Sequence, residues 1–404
     1  MPESGQRSNG SRLTHDIGLV PLDTEGKWIG GRYYLQHLIK AVASLPLDER
    51  VRMSDVWWQE PAAEDPFAEV RSLLARRVVV RTPTSIAARA QRKLRRLAKG
   101  VDDARDLFLD AGIGALFPVL PCELPGIPYV FWLPDFQYLH MPELFGDKLC
   151  RWYEEHYTEN VSLANLTVLS SRHASRDFER VFPDRVSTAR IVNFCSIPDA
   201  TWWRLDPLAV AAAKGLDGPF FLVSNQFSHH KNHGVVFEAM RILKDRGLDV
   251  RLVCTGSTYG FRGDDYFGGL SAFIDKHDLK SAILIVGMLP RDEQVALMRR
   301  SIAMLQPSRF EGWSTVVEDA KTLGKTLLVS GIEVHREQLG PDYDLYLDAD
   351  DPEAWADAMS QMWSSRTPGP HYDDETRGLG FIGVSAQETG RSFVSVMREV
   401  MANA

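Results

Sequence analysis

Short apolar runs recur along this chain, separated by longer segments whose apolar residues repeat at helical spacing. A first series reads IGLVPL (17–22), VRMSDVWW (51–58), VVVRT (78–82), ALFPV (115–119), YVFWL (129–133) and LTVLSS (166–171). A second reads FFLVSNQ (220–226), VRLVCTG (250–256), AILIVGM (282–288), IAMLQPS (302–308), TLLVSG (326–331) and DLYLDA (344–349). Between them lie helix-like stretches such as HGVVFEAMRILKDRG (233–247) and RDEQVALMRRS (291–301). Alternation of strand-length and helix-length segments predicts βαβ units and mostly parallel sheets, an α/β fold.

The chain has 404 residues, beyond the roughly 250–300 at which a single core stops growing. Two domains follow: 1–205 as a first Rossmann-like domain and 206–380 as a second. The stretch DPLAVAAAKGLDGP (206–219) reads as the connection. A last periodic segment near 385–401 predicts a C-terminal helix, so that 381–404 can pack back on the first domain.

Net charge of -8 argues against bulk nucleic-acid binding, which leaves a basic domain. The four cysteines are far apart and none has CxxC spacing, as expected of free thiols in a reducing compartment. No apolar run approaches the ~20 residues that span a bilayer. The start, MPESGQRSNGSRLTHD, is polar and lacks the apolar core of a signal peptide, so a cytoplasmic protein is expected. One basic segment, SIAARAQRKLRRLAKG (85–100), has two readings: a helix touching anionic lipid at the inner membrane face, or a solvated helix face.

Chemistry concentrates in four patches. In QPSRFEGWSTVVEDAKTLGKTLLVSG (306–331) a strand ends near Ser308, a loop carries Glu311 and Gly312, and a helix starts near Val316. Thr315 is the expected cap, with Glu318 closing a capping box. Amides at such a helix start hold anions or hydroxyls, and Gly312 lets the backbone approach a ligand. FLVSNQFSHHKNHGVVFEAM (221–240) is strand, polar loop, helix, the context of a phosphate site. EGKWIGGRYYLQHLIKAV (25–42) places Gly30 and Gly31 before a helix, and VFWLPDFQYLHMPELFGDKLCRWYEE (130–155) follows a strand with Asp135, Gln137 and His140.

These residues resemble the retaining glycosyltransferases of family 4, whose fold is GT-B: two Rossmann-like domains facing across a cleft. The match runs through Pro307-Ser308, then Glu311-Gly312-Trp313-Ser314, then Asp319, Gly324 and Lys325. The resemblance implies that Glu311 contacts the hydroxyls of the donor sugar and that Asp319 accepts hydrogen bonds from the nucleotide ribose. Glu318, beside it, competes for that role, and Gly312, Trp313, Ser314 and Thr315 complete the donor loop. It also implies that Lys231 neutralises the donor diphosphate. The arginine expected five residues earlier is Gln226, which can still donate hydrogen bonds. Gly30-Gly31 resembles the glycine loop that faces the leaving phosphate or the acceptor. Where many members have His-Asp, this chain has Pro134-Asp135, so Asp135, Gln137 or His140 is left to cover the histidine's part. Ser170 or Arg172 is expected to line the cleft, and His335 and Glu337 lie where the family has a loop near the nucleotide.

Other signals fail. Gly324-Lys325-Thr326 ends like a P-loop, but the earlier glycine it needs is Asp319. Asp348 and Asp350 read as a turn and cap rather than a metal-binding acid pair. No HExxH, GxSxG or CxxC occurs. The expectation is a transferase of group 1 type using a nucleoside-diphosphate sugar as co-substrate, with no essential metal and a saccharide or lipid-linked acceptor. The alternatives are a sugar-nucleotide epimerase and a non-catalytic nucleotide-sugar-binding partner subunit or sensor.

Overall fold

The computed structural model describes residues 15–22, 29–58, 65–80, 108–118, 127–259 and 265–403. Segment 85–100, with its two readings, lies outside these residues. The chain forms two compact units: Met1–Trp132 with Glu159–Thr167 and Gly390–Ala404, and Leu133–Thr158 with Val168–Thr389.

In the first unit, strands β1 (Asp16–Leu19), β2 (Met53–Trp57), β3 (Arg77–Val79) and β4 (Ile113–Phe117) form a parallel sheet of order β3-β2-β1-β4. Helix α1 (Ile29–Ala43) buries Leu35, Leu38, Ile39 and Val42. Buried Asp55 on β2 is a structural acid: its carboxylate accepts from Arg71, Arg77 and the Trp57 indole.

Strands β5 (Val130–Leu133), β6 (Leu166–Leu169) and β7 (Ala189–Ile191) form a separate three-stranded sheet. The first two hold points where the chain leaves one unit for the other. β7 has no counterpart among the apolar runs, because its short segment is only half-buried.

The second unit contains the larger sheet: β8 (Phe221–Ser224), β9 (Leu252–Thr255), β10 (Ile283–Gly287), β11 (Met304–Gln306), β12 (Leu327–Ser330) and β13 (Tyr346–Leu347), all parallel, in the order β10-β9-β8-β11-β12-β13. Alternate β8 side chains enter different cores. Phe221 and Val223 pack with Phe237 and Trp355, while Leu222 packs with Met304, Val317 and Ala320. Both faces are covered, which is why the strand reads as an unbroken apolar run rather than an alternating one.

The helices of this unit are α2 (Gln137–His140), α3 (Gly146–Leu163), α4 (Arg172–Val181), α5 (Pro207–Ala212), α6 (His233–Asp245), α7 (Tyr266–Lys276), α8 (Arg291–Arg300), α9 (Thr315–Thr322), α10 (Glu333–Leu339) and α11 (Pro352–Ser365), with α3 running partly into the first. Two sequence expectations need correction. The 206–219 stretch is not a bare connection: it holds α5, capped by Asp206 and started by Pro207, with Ala211 buried. The C-terminal helix is α12 (Tyr372–Ala402), 31 residues long. Gly378, Gly380 and Gly383 break its apolar pattern, which hid its first half in the sequence. Its end, from Gly390 onward, belongs to the first unit, where Phe393 packs against Phe117 at 5.0 Å between ring centres. Among the described residues, no helix is long and apolar enough to cross a membrane.

Candidate functional site

Strand order in the larger sheet reverses between β8 and β11: β9 and β10 lie to one side, β12 and β13 to the other. In an open parallel sheet, ligands bind at the carboxyl ends of the strands at such a switch point, because the loops there diverge and leave a crevice. The loop after β8 carries Lys231 and the loop after β11 carries Glu311. Lys231 Nζ donates to both carboxylate oxygens of Glu311, at 2.7 Å each.

Glu311 is 7% exposed. Its Oε1 also accepts from the Gln306 amide at 2.8 Å and the Ser308 hydroxyl at 2.7 Å. Burial pushes the carboxyl up, but the Lys231 ammonium outweighs it and holds the carboxyl down at about 2. The group is therefore a fixed anion at neutral pH. Behind it, the Asn225 amide donates to Gln306 Oε1 at 2.8 Å, joining the β8 and β11 strand ends. Asn232, with φ of 55°, donates to the carbonyls of Pro307 and Ala349 and so anchors the Lys231 loop. Gln226 is exposed, its amide 3.5 Å from the Tyr259 carbonyl.

The helix that follows starts differently from the expected capping box. Ser314, not Thr315, is the cap: its hydroxyl accepts from the Val317 amide, and Thr315 is the first helical residue. That one-residue shift takes Glu318 out of capping reach. Glu318 accepts instead from Gln338 and Lys321, and burial raises its pKa. Gln338 also bonds Ser314 in both directions, donating to its carbonyl and accepting from its amide. Asp319 is buried and accepts from Arg291 at 2.6 Å, whose guanidinium lies over the Trp202 ring. The Trp313 indole donates to the Phe194 carbonyl. Gly324, with φ of 57°, ends α9 in the left-handed region.

The Pro134-Asp135 segment lies against this loop. A side chain on Gly312 would come within 2.8 Å of the Pro134 carbonyl and 3.0 Å of Asp135, so only glycine permits the approach. Asp135 Oδ1 accepts from the Gln137 amide at the start of α2. At the other end of α2, His140 Nε2 lies 2.6 Å from Asp177 Oδ2, and the His140 ring sits 5.2 Å from that of Phe310 and 4.9 Å from that of His173. A pocket of about 480 Å³ opens here, lined by His140, His173, Arg309, Phe310, Glu311 and Glu333 among others. Asp135, His140, Gly312, Glu311 and Lys231 are thus gathered in one unit.

Gly30 and Gly31 belong to the other unit. They lie in the first turn of α1 rather than in a loop before it. First-turn amides have no partner within a helix. Asp348 and Asp350 form the expected turn, with Asp348 accepting from the Asp350 amide and Asp351 capping α11. His335 is buried and its Nδ1 bonds the Ser330 carbonyl. Burial pushes its pKa down to about 4. Glu337 accepts from the Arg172 amide at the head of α4.

Sequence reading missed Gln306, Asn225, Gln338 and Arg291, because amide and guanidinium partners carry no spacing signal. It also missed His173 and Asp177, although their separation of four residues puts them on one helix face.

Comparison with known proteins gives a match over a segment that contains both Lys231 and Glu311. Residues 210–374 match the family model described as glycosyl transferases group 1. A search of curated proteins finds no match. Among solved structures, the chain is similar to HepE of Anabaena in complex with UDP and glucose, with 15% identity, TM-score 0.61, and coverage of 96% of this chain and 99% of that one. It is similar to a glycosyltransferase from Rickettsia africae at 11% identity and TM-score 0.62, covering 97% and 100%. It is also similar to sucrose-phosphate synthase from Thermosynechococcus elongatus at 14% identity and TM-score 0.61, covering 96% and 100%. At these identities the likeness is one of fold, and the fold is GT-B, built from two Rossmann-like domains.

Proposed function

We propose that this chain, a group 1 glycosyltransferase by its residues 210–374, moves a sugar from a nucleoside-diphosphate donor to a hydroxyl with retention at the anomeric carbon. The observation that carries this reading is the buried Lys231–Glu311 pair at the switch point of the larger sheet. A diphosphate arriving beside Lys231 draws on the ammonium that Glu311 now holds, while Gln226 adds a neutral donor where the family has an arginine. Charge that develops on the leaving phosphate is stabilised by groups already in place, so little reorganisation is needed. Glu311 stays ionised, accepts from the sugar's hydroxyls and tolerates positive character at the anomeric carbon. Asp319 shares the ribose with Arg291, and the leaving phosphate itself takes the proton of the incoming hydroxyl. Asp135, held against Gly312, and His140 border the reacting end. Gly30 and Gly31 offer first-turn amides to the phosphate or acceptor. No step in this scheme calls for a metal.

UDP and UDP-glucose are the first donors to try, since similar structures carry them. Ligand binding to the folded state raises its melting temperature in proportion to affinity, so a thermal-shift panel of nucleoside diphosphates and their sugars finds the base. Transfer is then measured on Glu311→Ala and Lys231→Ala. Each is expected to lose about tenfold or more, since a charged contact is worth roughly 1.5–3 kcal/mol. Near wild-type rates in both would overturn the assignment. Acceptors of cell-surface polysaccharide or glycolipid synthesis, including lipid-linked ones at the inner membrane face, are the class to screen. Gln226 and Pro134-Asp135 favour a second reading, a non-catalytic nucleotide-sugar sensor or partner subunit. It predicts donor binding with no turnover against any acceptor.

A further inference from the structure

The geometry points to a divalent transition-metal site of the zinc class formed by His140, His173 and Asp177 beside the pocket. Nothing in the sugar-transfer reading requires it, so the two stand or fall separately. His173 and Asp177 project from one face of α4, four residues apart. His140 reaches them from the end of α2. One ligand atom from each of the three lies within 4.8 Å of the others.

The donor set is two imidazoles and a carboxylate, the nitrogen-and-oxygen chemistry that suits zinc and its neighbours rather than calcium or magnesium. Around a tetrahedral zinc, with bonds of about 2.0–2.2 Å, ligand atoms stand roughly 3.3 Å apart. The His140–Asp177 contact of 2.6 Å is a hydrogen bond that must open slightly. The proton on His140 Nε2 moves to Nδ1 or to solvent as the metal takes its place. The other separations, none above 4.8 Å, would have to shorten toward the same value.

Charge and burial favour this exchange. Asp177 is 6% exposed, so its carboxylate is costly without a cation. Arg180 donates to Asp177 Oδ1 at 2.9 Å, leaving Oδ2 turned toward His140. A partner on the second oxygen orients a ligating carboxylate. His173 is half-buried and brings the second imidazole. Glu333 Oε2 lies 3.7 Å from His173 Nε2. It can become a fourth ligand by leaving Arg176, its exposed partner. Both histidines line the pocket, so while Glu333 stays on Arg176 the fourth position of the metal is open to water or to a substrate oxygen.

The test uses the full chain, stripped of metal and titrated with Zn2+ by calorimetry and with Co2+ in the visible spectrum. One equivalent should bind with Kd of about 10 µM or tighter, with ligand-field absorption from Co2+. His173→Ala and Asp177→Asn should each weaken binding about tenfold or more. Cu2+ electron paramagnetic resonance on the unmodified chain should resolve two imidazole nitrogens, which keeps the test valid where a variant fails to fold. No saturable binding at one equivalent overturns the proposal. So does binding unchanged in both variants, which would put the metal on His229 and His230 or on a cysteine.

Discussion

Glu311 shows how a single carboxylate comes to be held in one protonation state. It accepts from Lys231, Gln306 and Ser308, and the Lys231 ammonium outweighs the cost of its burial. Its carboxyl titrates near 2 in the folded chain against 4.5 for the ordinary glutamate. A depressed carboxylate adds stability that is complete above its unfolded pKa and is lost as pH falls through the folded one. The loss attributable to this residue therefore falls between pH 4.5 and about 2. Denaturant unfolding across that window should show a steeper decline for the wild type than for Glu311→Gln, in which the titrating group is gone. Equal slopes would mean that the Lys231 pairing does not persist in solution. The neighbouring acids have different surroundings: Glu318 faces Gln338 and Lys321, whereas Asp319 faces Arg291. The one-methylene difference between them was visible in the sequence, but their separate partners were not.

At the scale of elements, α9 sets the register of the loop before it and of the strand after it. Ser314 caps its start, and Gly324 turns the chain at its end with φ of 57°. A side chain at Gly324 would clash with the Asp374 carbonyl. Gly324→Ala should therefore destabilise the second unit by about 1–3 kcal/mol, the cost of an unfavourable backbone conformation with no room to relax. Thermal denaturation checks this, and an unchanged melting temperature would contradict it. Ser314→Ala removes the cap and should cost about 1 kcal/mol. The position of the helix was legible from the apolar pattern. Its cap was not, because Ser314 and Thr315 are both good capping residues and only backbone geometry separates them.

For the whole molecule, the units are assembled from segments distant in the chain. Residues 390–404 belong with the first 132, and residues 133–158 belong with the C-terminal half. Phe393 is fully buried against Phe117, more than 270 positions away in sequence. Phe393→Ala should cost about 3–5 kcal/mol, as expected for a large core side chain. The loss should appear as early proteolysis within residues 15–132 while the 221–389 region stays protected. Simultaneous loss of both regions would show that the chain unfolds as one cooperative body.

The sequence alone determined the alternation of strands and helices and the parallel α/β class, and a family resemblance marked Glu311 and Lys231 as candidates. Each of these rests on local hydrophobic periodicity or on a short motif. Tertiary structure decided the rest. Strand order brings the loops after β8 and β11 together, and Gly312 lets Asp135 approach. Convergence of α2 on α4 sets His140 beside Asp177 and His173. Side chains with no spacing between them become partners only when the backbone closes, so no pattern read along the chain can announce them.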